Sequence, residues 1–171
     1  MASIRCGSSQ GFGCTYQSTS VSIKSKDYFL VTVQLLLFTI YLWNPVIATV
    51  YNGNYLDFIA VSVVFLGILI MLFAIYGLRK SISPFPSPRK DAVLIQVGIY
   101  KFVRHPIYTS ILLCTFGWAI YSNSMFRMIV FVSLILLFEI KSNFEETLLI
   151  KRFKDYINYK KLTGKYFPKI N

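Results

Sequence analysis

Two long apolar runs, residues 28–51 and 55–78, constrain the fold of this chain more than any other feature. Each reaches the roughly 20 residues that a helix needs to cross a bilayer core. Backbone groups at that depth find no water, so such runs fold as helices that satisfy their own N–H and C=O groups. Asn44-Pro45, late in the first run, predicts a bend or break there. Two shorter runs follow at 107–121 and 125–140, joined by Ser122-Asn123-Ser124. Each is near the lower limit for crossing, which predicts a tightly packed helical hairpin.

Composition agrees with a lipid setting. The 171 residues are 55% hydrophobic and only 15% charged, where a soluble domain carries about 25% charge. The net charge of +11 comes from basic residues between and after the apolar runs. That pattern reads as a membrane-facing rim and not as a nucleic-acid surface. Arg79, Lys80, Arg89, Lys90, Lys101 and Arg104 crowd the central loop, and the C-terminal tail is basic, while the two short connectors carry no charge. Four spans would put the N-terminus, central loop and tail on one positive side. Arg127 is the exception, expected to snorkel outward from its helix end.

The expectation is an all-α integral membrane protein of about four transmembrane helices, with a C-terminal helical hairpin and an amphipathic surface helix. Residues 1–26 read as a tail, 27–80 as two N-terminal transmembrane helices and 81–171 as a core of loop, hairpin and surface helix. The tail is rich in Ser, Thr and Gly and has no acidic residue. It suits an organelle transit peptide, with a plastid membrane favoured over the endoplasmic reticulum, or a short disordered tail. Ser83-Pro84-Phe85-Pro86-Ser87-Pro88 excludes a regular helix in the central loop. From Lys141 onward, Leu148, Leu149, Phe153, Tyr156 and Ile157 recur near helical spacing, predicting a helix that leaves the membrane and is ended by Gly164 and Pro168. Cys6, Cys14, Cys114 and a single histidine have no metal-ligand spacing, so no metal site is expected.

Chemistry-bearing residues gather in two places. Arg104-His105-Pro106 stands immediately before the hairpin; Pro106 would open a helix, where its missing N–H costs nothing, with Arg104 and His105 as juxtamembrane charge. Glu145-Glu146 lies beyond the hairpin, and Glu139, seven residues before Glu146, shares its helical face inside the apolar run. Acid there tends to face a cavity, and Lys141 can reach Glu145 across one turn. If the hairpin folds back, two sites of opposite sign meet, by simple charge complementarity or around a zwitterionic ligand.

The ordered set Gly98-x-Tyr100-x-x-Val103-Arg104-His105-Pro106-x-Tyr108, a short hairpin, Glu145-Glu146, Phe153-x-x-Tyr156-x-x-Tyr159 and Phe167-Pro168 resembles the isoprenylcysteine carboxyl methyltransferase family. The related phospholipid N-methyltransferases share much of it. The resemblance covers roughly residues 90–170. It implies S-adenosylmethionine as cofactor, held at the membrane face by Tyr100, Arg104, His105, Pro106, Tyr108, Glu145 and Glu146. It also implies Glu146, Arg104 and Lys141 as the catalytic set, the carboxylate of a prenylated cysteine or a related lipophilic group as methyl acceptor ahead of a phospholipid amine, and membrane lipids as partners. Lys141 stands where that family commonly has arginine; lysine keeps the charge but loses the two-pronged grip on a carboxylate. Ile99 stands where proline is often found. A carboxylate acceptor needs no strong base, whereas an amine must lose a proton, for which Glu146 or His105 is the candidate base. Sterol reductases, which use NADPH, share the arginine-histidine-proline segment but differ in the tail pattern. A non-catalytic lipid-binding protein is the remaining alternative.

Overall fold

The computed structural model describes residues 25–43, 54–78 and 94–169. The predicted tail up to residue 24, the Asn44-Pro45 break and the proline-rich central loop lie outside them. Among the described residues the chain is helical, in five α-helices: α1 (Ser25–Trp43), α2 (Asn54–Leu78), α3 (Pro106–Tyr121), α4 (Met125–Arg152) and α5 (Tyr156–Leu162). A 3₁₀ turn, Gly98–Lys101, precedes α3.

Helix boundaries follow local chemistry. α1 ends at Trp43, two residues before Pro45, whose ring disfavours a helical residue ahead of it. It begins at Ser25, inside the stretch read as tail. Pro106 opens α3. Ser124 caps α4, its hydroxyl accepting from the Arg127 backbone N–H, and Asn123 turns the chain with φ 49°, a conformation Asn tolerates better than most residues.

Two helices, Lys26–Trp43 and Leu56–Leu78, are long and apolar enough to cross a membrane, and only 17% of either window is buried. Their outward faces carry Phe29, Trp43, Phe58, Phe65 and Phe73. So much uncovered apolar surface fits helices that face lipid and not the core of a soluble protein. α3 is a shorter apolar helix.

α2 packs chiefly on α3, and α1 on α4. The α2–α3 seam is built from small residues. A Cβ added at Gly117 would lie 2.7 Å from the Ala60 carbonyl oxygen and the Val64 Cγ2, and one at Gly67 would meet Cys114 Sγ at 2.7 Å. Ala60 and Ala74 on α2 are fully buried, as is Ser110 of α3, which lies against Gly67 and Met71. Small residues at such a crossing let the backbones approach, which is how helices associate where lipid removes the hydrophobic drive. The second contact uses larger side chains: Leu30 of α1 packs with Leu134, Leu137 and Phe138 of α4, flanked by Tyr108 and Ile111 of α3.

Two expectations change. No separate surface helix starts at Lys141, because α4 runs unbroken to Arg152 and the bend falls at residues 153–155. The helix persists because Lys141, Ser142 and Glu146 on its inner face are buried by packing partners. Arg127 does not reach outward either. Its guanidinium carbon lies 5.7 Å from the Tyr41 ring centre and 5.9 Å from that of Trp118, so the aromatic faces take the place of solvent.

Candidate active site

The two chemistry-bearing segments do meet, at the end of the bundle where α1 starts, α2 ends, α3 starts and α4 passes. Gly98 begins the approach with φ 62°, a left-handed conformation that favours glycine. The 3₁₀ turn then lays Tyr100 against α2. Tyr100 packs on Gly77, its hydroxyl points to the Ala74 carbonyl at 3.5 Å, and burial pushes that hydroxyl well above the ordinary tyrosine range. The backbone of this turn is fixed from α5, where the Tyr159 hydroxyl donates to the Tyr100 carbonyl at 2.6 Å.

After α5 the chain runs beside the motif. Val103 and Gly164 form an isolated parallel bridge, the Arg104 N–H donates to Gly164 O at 2.9 Å and the His105 N–H to Lys165 O at 3.1 Å. The Thr109 hydroxyl donates to Tyr166 O at 2.9 Å. A Cβ at Gly164 would overlap the Phe167 carbonyl, so only glycine allows the chain to double back there.

Glu146 lies at the centre of an ionic clasp. Its Oε1 takes Arg104 Nε at 2.9 Å and lies 3.3 Å from His105 Nε2, and its Oε2 takes Lys160 Nζ at 2.7 Å. Arg104 Nη1 also donates to the Lys160 carbonyl at 3.0 Å and to the Thr163 carbonyl. Burial alone would raise the Glu146 carboxyl, but the hydrogen bonds from His105, Lys160 and Arg104 hold it well below the usual carboxylate range. Such a carboxylate is a permanent anion and a poor proton acceptor at neutral pH.

Glu145, the adjacent residue, is in a different position. It lines a half-open cavity of about 250 Å³ together with Tyr100, Arg104, His105, Pro106, Tyr108 and Lys141, while Glu146 does not. The Tyr108 hydroxyl donates to Glu145 Oε2 at 3.0 Å, and His105 Nδ1 lies 3.7 Å from the same oxygen. The Tyr108 ring is stacked between His105, 5.4 Å away and 4° from parallel, and Phe138, 4.9 Å away and 8° from parallel. Both its faces are covered, so Tyr108 orients Glu145 and offers no stacking surface to a ligand. The remaining wall is apolar apart from Gln34 of α1: Val31 and Leu35 of α1, Leu78 of α2, and Ile107 and Ile111 of α3.

The other acid and the lysine are placed by packing. Glu139 points away from the cavity, exposed, with Lys165 Nζ at 2.5 Å and Asn143 Nδ2 at 3.2 Å. Lys141 is buried and lies over the Tyr108 ring at 5.6 Å. Its Nζ donates to Gln34 Oε1 at 2.6 Å. Burial lowers the pKa of Lys141, and the charges of Glu145 and Asp27 oppose that shift.

Sequence reasoning missed Gln34, Lys160 and Thr163 as parts of this region. Gln34, the one amide in α1, carried a readable signal, since a polar group in a span turns inward. Thr163 acts largely through its backbone carbonyl, which leaves no trace in residue type, and Lys160 is one basic residue among many in the tail. Among the described residues no group of His, Cys, Asp and Glu has the geometry to hold a metal ion.

The donor set is complementary to a ligand that carries both a positive and a negative group. A carboxylate and a buried ammonium stand one helical turn apart on one wall, and apolar side chains form the other. No curated protein matches the chain. Residues 55–156, from the start of α2 to the start of α5, match the family model for phospholipid methyltransferases.

Proposed function

The chain belongs to the phospholipid methyltransferase family, and on that premise we propose that it methylates the amine headgroup of a membrane lipid, with S-adenosylmethionine as donor. The observation that carries this reading is Glu145, the carboxylate facing the cavity, set against an apolar wall. The Glu145 carboxylate attracts an ammonium brought against it. An ammonium must also shed a proton before its nitrogen has a lone pair to offer. Glu145 suits that task better than Glu146, whose lone pairs are taken by Arg104, His105 and Lys160.

S-adenosylmethionine, when bound, supplies a methyl group activated by its sulfonium. Tyr100, His105, Pro106, Tyr108 and an edge of Arg104 would hold it, and Glu145 is left to the acceptor nitrogen. Arg104 and Glu146 serve as positioning residues: their pairing fixes where His105 and the start of α3 stand. Lys141 faces the same space and supplies positive charge to an acceptor oxyanion. Methyl transfer needs mainly alignment of donor and acceptor, which the stacked His105–Tyr108–Phe138 column supports by holding Glu145 in one orientation. The apolar wall of Val31, Leu35, Leu78, Ile107 and Ile111 suits an acyl or prenyl chain arriving from the bilayer.

Lys141 favours a second reading, in which the acceptor is the carboxylate of a prenylated cysteine or a related lipophilic acid. There the ammonium of Lys141 holds the carboxylate and Glu145 holds the cofactor. In both readings α3 and the apolar first half of α4 complete a four-span bundle, with the basic loop and tail on one face. The composition of residues 1–26 supports a plastid membrane.

Full-length protein in nanodiscs, given methyl-labelled S-adenosylmethionine with ethanolamine phospholipid or a farnesylated cysteine, tests the assignment. The expected result is label in the phospholipid that survives mild base. Base-labile label on the farnesylated cysteine would move the assignment to the carboxylate. No label in either and no binding of S-adenosylhomocysteine would overturn methyl transfer itself.

A further inference from the structure

Helix α1 lies wholly outside the matched residues 55–156, yet it supplies three residues of the cavity wall, Val31, Gln34 and Leu35. Two are apolar side chains of the kind expected in a span. Gln34 is not. It is the one amide of a nineteen-residue helix, and Val33, Leu35, Leu36 and Leu37 surround it in sequence.

Lysine has only donors, so the Gln34 atom 2.6 Å from Lys141 Nζ is the carbonyl oxygen. The amide is thereby fixed in one orientation, and its Nε2 donors are turned the other way. Among the described residues Nε2 makes no hydrogen bond, and the side chain borders the cavity. An amide N–H pair beside a buried ammonium is a donor surface. Glu145, one turn along α4 from Lys141, is the acceptor surface of the same cavity. The two ends are spanned by Tyr108, with Lys141 over its ring at 5.6 Å and its hydroxyl on Glu145 at 3.0 Å. A ligand satisfying both ends carries an oxyanion a short chain away from a cationic nitrogen.

We propose that Gln34 and Lys141 hold the phosphate oxyanion of the acceptor headgroup, so that α1 sets which lipid is methylated. The assignment rests on the amine-lipid reading above. It makes Gln34 a specificity-determining residue, with Glu145 facing the nitrogen and Gln34 facing the phosphate. An oxyanion supplied by a free phosphate has the same chemistry but no chain to occupy the wall of Val31, Leu35 and Leu78.

The test compares wild type, Gln34→Glu and Gln34→Leu, full-length in nanodiscs. Gln34→Glu keeps the shape and the contact to Lys141 but replaces the two donors with a repelling oxygen. The expected result is a rise in KM for ethanolamine phospholipid of roughly ten- to a hundredfold, the size of one or two hydrogen bonds to a charged group, with S-adenosylhomocysteine affinity kept. Gln34→Leu should raise KM less, because it removes the donors without adding a charge. A long-chain alkylamine, which lacks the phosphate, should show the same KM with wild type and Gln34→Glu. Equal KM values for the phospholipid, a parallel rise for the alkylamine, or a parallel loss of S-adenosylhomocysteine affinity would each overturn the assignment. Lipid retained in native mass spectra reads the site without catalysis: wild type should hold phospholipid that Gln34→Glu releases, and equal retention also overturns it. Added inorganic phosphate that displaces the lipid as well as an intact phospholipid does would overturn the lipid as the source. Failure of methyl transfer with the retention difference intact would sink the functional reading and leave the phosphate site standing.

Discussion

The α2–α3 seam and the clasp around Glu146 hold the same molecule together by opposite means. At the seam, Ala60, Gly67, Gly117 and Ser110 bring two backbones close, with almost no charge involved. At the clasp, Arg104, His105 and Lys160 converge on one buried carboxylate, and shape matters less than the balance of charge. The difference follows from the surroundings. In lipid a charge has nowhere to go, so close packing does the work. At the membrane face, buried ions can be paired on all sides, and the pairing fixes geometry more than it adds stability.

Glu146→Ala should have the largest effect. It leaves Arg104 facing an empty site, and stripping one partner from a buried pair costs about 3–5 kcal/mol. Thermal unfolding in detergent should show the loss, together with weaker S-adenosylhomocysteine binding; an unchanged midpoint would mean that the clasp is decoration. Gly117→Val comes next, because its new atoms meet Ala60 O and Val64 within 2.7 Å, and overpacking costs roughly 1–3 kcal/mol. Its effect should be indifferent to salt, and a salt-dependent loss would erase the contrast between the two regions.

Acid separates the regions without a mutation. Glu146 is held below its free value, so its contribution is fully present above the free carboxylate pKa of about 4.3 and declines as pH falls toward the folded value. The gap in stability between wild type and Glu146→Gln should therefore shrink as pH is lowered below about 4.3. The gap between wild type and Gly117→Val should stay constant. Lys160→Ala should be the mildest change, below about 1 kcal/mol and sensitive to salt, because the lysine side chain is 45% exposed although its Nζ reaches Glu146. A loss as large as that of Glu146→Ala would show that Lys160, not Arg104, anchors the clasp.

Much of this arrangement is legible in the sequence. Apolar length gives the helices, and Pro106 the start of α3. The meeting of Arg104-His105 with Glu145-Glu146 follows from a hairpin too short to do anything but fold back. What was not legible is which acid faces the cavity. Glu145 and Glu146 are neighbours on one helix, about 100° apart around its axis, and only the position of α5 decides which one is buried. The continuity of α4 past Lys141 was hidden for a similar reason: polar residues in that stretch look like a surface helix until Gln34, Tyr166 and Arg104 are seen to cover them. Gln34 gave a signal but belonged to no motif.

The pairing of Val103 with Gly164 has a consequence for the order in which the molecule is made. The α2–α3 seam joins elements that are successive in the chain, but 59 residues separate Arg104 from Thr163. A nascent chain can thus lay its helices in the bilayer while Arg104 still waits for the carbonyls and the lysine that follow α4. The clasp needs the chain through Lys165, whereas the α2–α3 seam needs only residues up to Tyr121.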